Sequence, residues 1–460
     1  MRIFLKNNRL IFSEERKLIA FINKYIFGTA VPIMLVLAGI YYIFLLRGFH
    51  VIKMKKVFRA LTARQDKNGV SPFRAVTLAL AGTLGVGNIV GVSAAIYLGG
   101  FGSIFWMWVS AFFAMLLKYA EIVLAVKHRR FDKEGNPHGS AMIYIEDLFR
   151  SVGLKKFGCF LAVVFALLCI LNSITMGSMI QVNAITGAFQ SVWGFSPLII
   201  GIFLSITVFI IVSKGSDSIS KFTEMIVPIM TLGYVVLSLA VMFLRFDKLD
   251  DAFISIFNEA FEVDSMFGGI LGFFLSRALR FGTMRGLVSN EAGCGTAPTA
   301  HATSNTKSPV EQGFWGIFEV FVDTIVLCTM TALVVIISYG EVKHFGNNFI
   351  MMTIGAYKNV LGDFAEYFLA ISVLFFAFAT VICWAHYGME SVAYLSKNKT
   401  MLKMFIVIYS LSVFLGAIIN ADIIWEAADF AIGAMTLINV TVICLMSKEV
   451  KRETMCYFMK

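Results

Sequence analysis

The sequence predicts an all-α polytopic membrane protein of eleven transmembrane helices, in which one additional N-terminal helix precedes a five-plus-five inverted repeat. Three observations predict it. First, 58% of the 460 residues are hydrophobic, mean hydropathy is +0.80 and only 15% are charged, whereas a soluble surface needs about 25% charged residues. Second, eleven stretches approach the roughly 20 apolar residues that a spanning helix requires. Third, glycine clusters interrupt the second and the seventh of these stretches, five spans apart, which is the spacing that an inverted repeat of five helices produces.

In chain order, residues 1–25 are basic and amphipathic, with no small-residue cleavage site behind a short apolar core, so they are expected on the membrane surface rather than as a removable signal. The spans then fall at 26–47, 75–98, 102–126, 158–189, 197–213, 221–244, 265–284, 313–338, 363–395, 402–420 and 422–447. Residues 26–74 form the extra helix and a basic connection, 75–245 the first repeat, 246–447 the second, and 448–460 a tail. No segment between spans is long enough for a soluble domain, which starts at about 50 residues. Of the 39 Lys and Arg, 26 lie in segments that follow odd-numbered spans and 10 in the alternate ones. Basic residues stay on the cytoplasmic side. The expected protein is therefore a multi-pass protein of the cell (plasma or inner) membrane, with its C-terminus in the cytoplasm. The six basic residues ahead of the first span run against that orientation.

The net charge of +10 thus reads as topology, and the expected partner is the lipid bilayer, not nucleic acid. Cys159, Cys169, Cys294, Cys328, Cys383, Cys444 and Cys456 form no CxxC pair and no metal-ligand spacing, and read as small apolar fillers.

In the second span, Gly82-Thr83-Leu84-Gly85-Val86-Gly87-Asn88 puts three glycines and an asparagine into seven residues. These are poor helix formers, and a break in hydrocarbon is tolerable only beside a polar cavity. A discontinuous helix there offers amides to a carboxylate and carbonyls to a cation; the alternative is close packing of a small-residue face. A phosphate loop is excluded, since no strand precedes the run and no Lys-Ser/Thr follows it. The second interruption is read at Gly268-Gly269-Ile270-Leu271-Gly272 of the seventh span.

Polar residues at membrane depth add further candidates. Gln181 in the fourth span either bonds a neighbouring helix or faces a solute. Thr380 and Trp384, four apart, share one face of the ninth span: a hydroxyl for Na⁺ and an indole wall, or a back-bonded Thr beside a packed Trp. Arg277 and Arg280 on the seventh span and Glu319 and Asp323 on the eighth predict an ion-pair network bracing adjacent helices. Glu426, Asp429 and Asn439 are polar points of the last span whose spacing assigns no role. His128, His138, His301 and His386 share no motif, and neither a nucleophile with its base nor a metal site is visible, so an enzyme is not expected.

Gly85-Val86-Gly87-Asn88-Ile89-Val90-Gly91-Val92, with Gly99-Gly100-Phe101-Gly102 and Phe105-Trp106-Met107-Trp108 after it, resembles the alanine or glycine:cation symporter family. The likeness recurs in Arg285-Gly286-Leu287-Val288-Ser289-Asn290-Glu291-Ala292-Gly293, in Ala300-His301-Ala302, in Gln181-Val182-Asn183, from Thr380 to Gly388 and from Trp425 to Asp429. It implies a leucine-transporter-like fold and Na⁺-coupled uptake of small neutral amino acids, chiefly alanine and glycine, with Na⁺ as coupling ion and no organic cofactor. A monomer is the expected unit, although the sequence does not fix the oligomeric state. By the same resemblance, Thr83, Gly85, Val86, Gly87 and Asn88 of one broken span and Gly268, Gly269 and Gly272 of the other would meet the substrate, Gln181 would bond it, and Ile185, Thr380 and Trp384 would complete the pocket. The carbonyls of Ala81, Leu84 and Phe376 and the hydroxyl of Thr380 would hold Na⁺.

The sequence departs from the family pattern at Phe101, Ser178, Met389 and Ile438, and at Gly139-Ser140-Ala141-Met142. Most of these lie outside the expected pocket, so they bear on gating and exact substrate rather than on class. Two other readings share the architecture: a proton-coupled transporter of another small solute, with Asp323, Glu319 or His386 carrying the proton, and a membrane sensor that binds without transporting.

Overall fold

The computed structural model describes residues 22–459 except 63–69, 132–134, 136, 262–276 and 420. A π-helical stretch, Ile22–Ala30, leads without a break into α1 (Val31–Leu45), with Pro32 just past the junction. The short amphipathic α2 (Met54–Leu61) follows. Ser71 starts the next helix: its hydroxyl accepts from the Arg74 amide at 3.1 Å, and a proline stands in the first turn. That helix, α3 (Pro72–Thr83), stops at Leu84. After a single 3-10 turn, Val86–Asn88, α4 (Val90–Gly99) resumes at 59° to it. The break predicted from the glycines is therefore present, at the C-terminal part of the run.

Beyond it come α5 (Gly102–His128), α6 (Ala141–Ser151), α7 (Lys155–Ile174) and α8 (Gln181–Trp193). The last two are joined through a π-helical stretch, Thr175–Ile180, into one span of 39 residues. Between α5 and α6, a two-residue antiparallel ribbon pairs Arg130 with His138 and Phe131 with Pro137. Then follow α9 (Pro197–Ser213), α10 (Ser216–Leu244), α11 (Leu249–Ala260), α12 (Arg277–Asn290) and the short α13 (Ala297–His301). α14 (Pro309–Val320) and α15 (Thr329–Ile337) join through π-helical Phe321–Cys328. The chain ends with α16 (Phe349–Leu361), α17 (Asp363–Leu395), α18 (Lys399–Ile418), α19 (Ala421–Leu445) and α20 (Ser447–Met459).

Among the described residues, eight helices are long and apolar enough to cross a membrane, and the bent α3–α4 pair makes nine. Pro197–Ser213 and Phe349–Leu361 are apolar but shorter. The expected seventh span, 265–284, lies partly outside the described residues. Its described part belongs to a helix that runs six residues further, to Asn290.

Burial sorts the helices. In α17 and α5, 78% and 72% of the apolar stretch is buried, against 33% in α10, so the first two form the protein's own core and the third faces lipid. α5 packs against α12 and α14, and α17 packs against α8, α7 and α10. Both helix breaks described below lie beside these two central helices.

Candidate substrate and sodium site at two helix breaks

The first break is held open from two sides. From α17, the Thr380 hydroxyl donates to the Ala81 carbonyl at 2.8 Å and to the Phe376 carbonyl, one turn back on its own helix, at 3.1 Å. From α8, the Gln181 side-chain oxygen accepts the Val86 amide at 3.1 Å, while its amide nitrogen donates to the Met176 carbonyl inside the π-helical stretch. A π-turn leaves a carbonyl without its ordinary partner, and here the glutamine supplies one. Gly85 sits between the two clamps: a Cβ there would lie 2.7 Å from Thr380 Oγ1 and 2.8 Å from Gln181 Oε1. The structure thus brings Ala81, Gly85, Val86, Gln181, Phe376 and Thr380 together around one point of unwound backbone.

The other sequence candidates distribute around it. Leu84 is buried and opens the break, its amide bonded to Leu80. Thr83 turns its hydroxyl back to Leu80 of its own helix, at 3.4 Å. Gly87 faces Ser289 near the end of α12, where a Cβ would stand in ordinary contact 3.4 Å from Ser289 Cα. Asn88 reaches the eighth span, donating to the Asp323 carboxylate at 2.7 Å. Ile185 is fully buried one turn beyond Gln181. Trp384, one turn beyond Thr380, is fully buried, packs so closely on Gly177 that a Cβ there would lie 2.3 Å away, and donates its indole N–H to Glu291 at 3.2 Å. Gly268, Gly269 and Gly272 lie outside the described residues.

Among the described residues a second interruption follows α12, while the glycine run Gly268–Gly272, where the sequence places one, lies outside them. α12 is continuous to Asn290, and the break runs through Glu291–Thr296, before α13. Glu291, Gly293 and Gly295 all have positive φ, at 51°, 84° and 77°, a conformation glycine adopts freely and glutamate rarely. Freed amides are satisfied from afar: Glu121 of α5 accepts from Gly293 N at 3.4 Å and Gly295 N at 3.1 Å, and Asn439 of α19 donates to Glu121 at 2.7 Å and to the Gly293 carbonyl at 2.9 Å. Glu291 itself accepts from Thr296 Oγ1 at 2.7 Å as well as from Trp384.

The predicted pairing of Arg277 and Arg280 with Glu319 and Asp323 is not formed. Arg277 donates to the Leu98 carbonyl at the end of α4, and Arg280 stacks over Phe281. Glu319 instead meets Lys118 of α5 at 3.0 Å and His301 at 3.0 Å, while Asp323 accepts from Asn88, Ser289 and Thr324. Lys118 also donates to the Asn290 carbonyl at 2.8 Å, closing the end of α12. The reason is position along the membrane normal: the arginines start α12, whereas the carboxylates lie level with its end. Lys118 and Glu121, three apart in an otherwise apolar span, are the sequence signal that announced these partners. His386 bonds Ser216 at 3.1 Å.

A cavity of about 760 Å³ extends from Val86 along Val90, Gly91, Ala94 and Leu98, with Arg285, Trp425 and Glu426 on its far wall. Arg285 stacks on Trp425 at 5.1 Å. The cavity therefore reaches the first break from the α4 side.

Comparison with known proteins follows the same lines. The model of the sodium:alanine symporter family matches residues 13–460. An uncharacterized transporter of Haemophilus influenzae is 36% identical over 447 residues, 95% of each chain. The sodium/alanine symporter AgcS of Methanococcus maripaludis is 34% identical over 445 residues, 95% of this chain and 96% of the relative. The crystal structure of MhsT in complex with L-phenylalanine aligns with a TM-score of 0.58 at 13% identity, covering 84% of this chain and 90% of that one. That likeness is one of fold, the leucine-transporter-like architecture. A family match along nearly the whole length, carried by relatives of equal length, leaves one conclusion: the chain belongs to the sodium:alanine symporter family.

Proposed function

We propose that this chain carries alanine or glycine inward together with Na⁺ by alternating access, as a monomer in the plasma or inner membrane. Sodium-coupled amino-acid symport comes with the family; the substrate's size and the residues that meet it are the proposal. The observation that carries it is the convergence of oxygens at Thr380, whose hydroxyl lies 2.8 Å from the Ala81 carbonyl and 3.1 Å from that of Phe376. Oxygen-only sets of this kind suit a hard cation. The hydroxyl proton now points at the carbonyls, and Na⁺ takes its place as the group they face, with the Leu84 carbonyl as a further ligand. Gln181, clamped to Val86, orders the same unwound segment from the other side. Each ligand therefore raises the affinity for the other, because both order one stretch of backbone. A small side chain is supported by the tight approaches of Gly85 to Thr380 and Gln181 and of Gly177 to Trp384.

Purified protein in proteoliposomes is expected to accumulate labelled alanine under an inward Na⁺ gradient and not when choline replaces Na⁺, with glycine competing and larger amino acids competing poorly. Thr380→Ala is expected to weaken Na⁺ activation by about 10- to 100-fold, the scale of losing an ordering contact at a metal site. Equal uptake in choline would end the coupling assignment, and unchanged Na⁺ activation in Thr380→Ala would remove that hydroxyl from the site.

A further inference from the structure

Beside the pocket, four carboxyl groups, Glu121, Glu291, Glu319 and Asp323, are each at most 1% exposed, and a single ammonium, Lys118, is buried among them. Charge at this depth persists only when paired or richly hydrogen-bonded. Three of the four meet that condition. Glu319 holds Lys118 and His301, Glu121 takes two backbone amides and the Asn439 amide, and Asp323 takes Asn88, Ser289 and Thr324. Glu291 has one neutral donor on each oxygen, Trp384 Nε1 at 3.2 Å and Thr296 Oγ1 at 2.7 Å, and among the described residues no basic group within ion-pair distance.

Titratable groups face it from several elements. α5 contributes Lys118 and Glu121, and the eighth span Glu319 and Asp323. Cys169 comes from α7, Cys383 and Tyr387 from α17, and Cys294 from its own segment. His301 beyond is committed to Glu319 and Gln312. One ammonium cannot neutralise four carboxylates, and the described residues contain no cluster of metal-binding groups that would add a second cation there.

We infer that Glu291 is a proton-binding site and that its proton is released when Na⁺ occupies the neighbouring site at Thr380. The link is physical: Glu291 is bonded to Trp384, and Trp384 stands one helical turn from Thr380 on α17. A cation at Thr380 favours the charged carboxylate, and by reciprocity a proton on Glu291 disfavours the cation. Protonated Glu291 keeps both contacts, since the Thr296 hydroxyl turns from donor to acceptor while the indole still donates.

The inference rests on the sodium-site reading above, and the experiment separates the two. Na⁺ binding to the purified full-length protein is measured by calorimetry from about pH 5 to about pH 9, the span documented for buried glutamates, in two buffers of different ionisation enthalpy so that released protons are counted. Wild type is expected to release protons on binding Na⁺ and to bind Na⁺ about tenfold more weakly at the acid end. In Glu291→Gln both effects vanish while Na⁺ still binds, and Glu319→Gln serves as the comparison that keeps them. Should Glu291→Gln fail to fold, Thr296→Val, which removes one donor to the charged form, is expected to shift the midpoint of the pH dependence upward. Na⁺ binding that is independent of pH in wild type, a pH dependence kept intact in Glu291→Gln, or an unmoved midpoint in Thr296→Val would overturn the proton site and leave the sodium site standing. Absence of Na⁺ binding at every pH would overturn both.

Discussion

At the scale of the residue, Gly85 decides whether the first break works. Its φ is −110°, so an L-side chain is not excluded by backbone strain; what excludes it is the space. A methyl would collide with Thr380 Oγ1 and Gln181 Oε1, the two atoms that clamp the unwound segment. Overpacking of this kind costs about 1–3 kcal/mol, and here the cost falls on groups assigned to ligand binding. Gly85→Ala is therefore expected to reduce alanine uptake by about tenfold or more, while the detergent-solubilised protein melts within a few degrees of wild type. Gly91→Ala is the matched control, because a Cβ at Gly91 meets nothing within 4 Å although the residue lines the same cavity. Its uptake should equal wild type. Loss of uptake in both variants would show that helix propensity rather than the clamp sets the requirement for glycine, and loss in neither would show that the clamp needs no glycine at position 85.

At the scale of the element, the second break is held by side chains that arrive from other helices. Asn439 of α19 bridges Glu121 and the Gly293 carbonyl, and its own oxygen accepts from Tyr144 at 2.5 Å. Asn439→Ala strips a donor from a buried carboxylate and from a freed carbonyl, for about 2–5 kcal/mol. Thermal unfolding is expected at a clearly lower temperature, with Na⁺ recovering part of the loss; an unchanged melting temperature would mean that the segment does not depend on this bridge. The same geometry explains what could be read from the sequence. The first break was legible because its cause is local: Gly82, Gly85 and Gly87 weaken the helix where it opens. Helical spacing places only Thr380 and Trp384 on one face; Gln181 and Val86, on other segments, were named beside them by the family resemblance alone, and the hydrogen bonds at the break join Val86 to Gln181 and Thr380 to Ala81. The break at Glu291–Thr296 was not legible, because it opens where Glu121 and Asn439, about 170 and 150 residues away, satisfy the freed amides and carbonyl, and no local run of glycines announces that. The arginines of α12 do not meet the carboxylates for a similar reason: Lys118, the basic residue of an otherwise apolar stretch of α5, already pairs with Glu319.

At the scale of the whole molecule, the cavity and the tail lie at opposite ends of α5. α4, whose residues line the cavity, runs into the start of α5. The tail helix α20 packs at the other end, where Lys127 pairs with Glu449 at 2.8 Å and Glu453 at 2.7 Å, Tyr119 bonds Thr454, and Lys53 stacks over Phe458 at 4.1 Å. A helix of α5's 27 residues spans about 40 Å, enough to separate the two by the full thickness of the bilayer. We propose from the distribution of Lys and Arg that the tail is cytoplasmic; the cavity would then face outward, the side from which substrate and Na⁺ would arrive. Cysteine accessibility tests this directly. Cys456 on α20 is exposed, Cys159 near the start of α7 and Cys444 near the end of α19 are partly exposed, and Cys169, Cys294, Cys328 and Cys383 are buried. All three accessible thiols belong to the cytoplasmic half by this orientation. A membrane-impermeant maleimide is expected to label inside-out vesicles and to leave right-side-out vesicles unlabelled, with Cys456→Ser removing most of the signal. Labelling of intact right-side-out vesicles that is lost in Cys456→Ser would invert the topology, and the cavity at the α4 side would then be the release path instead of the entry path.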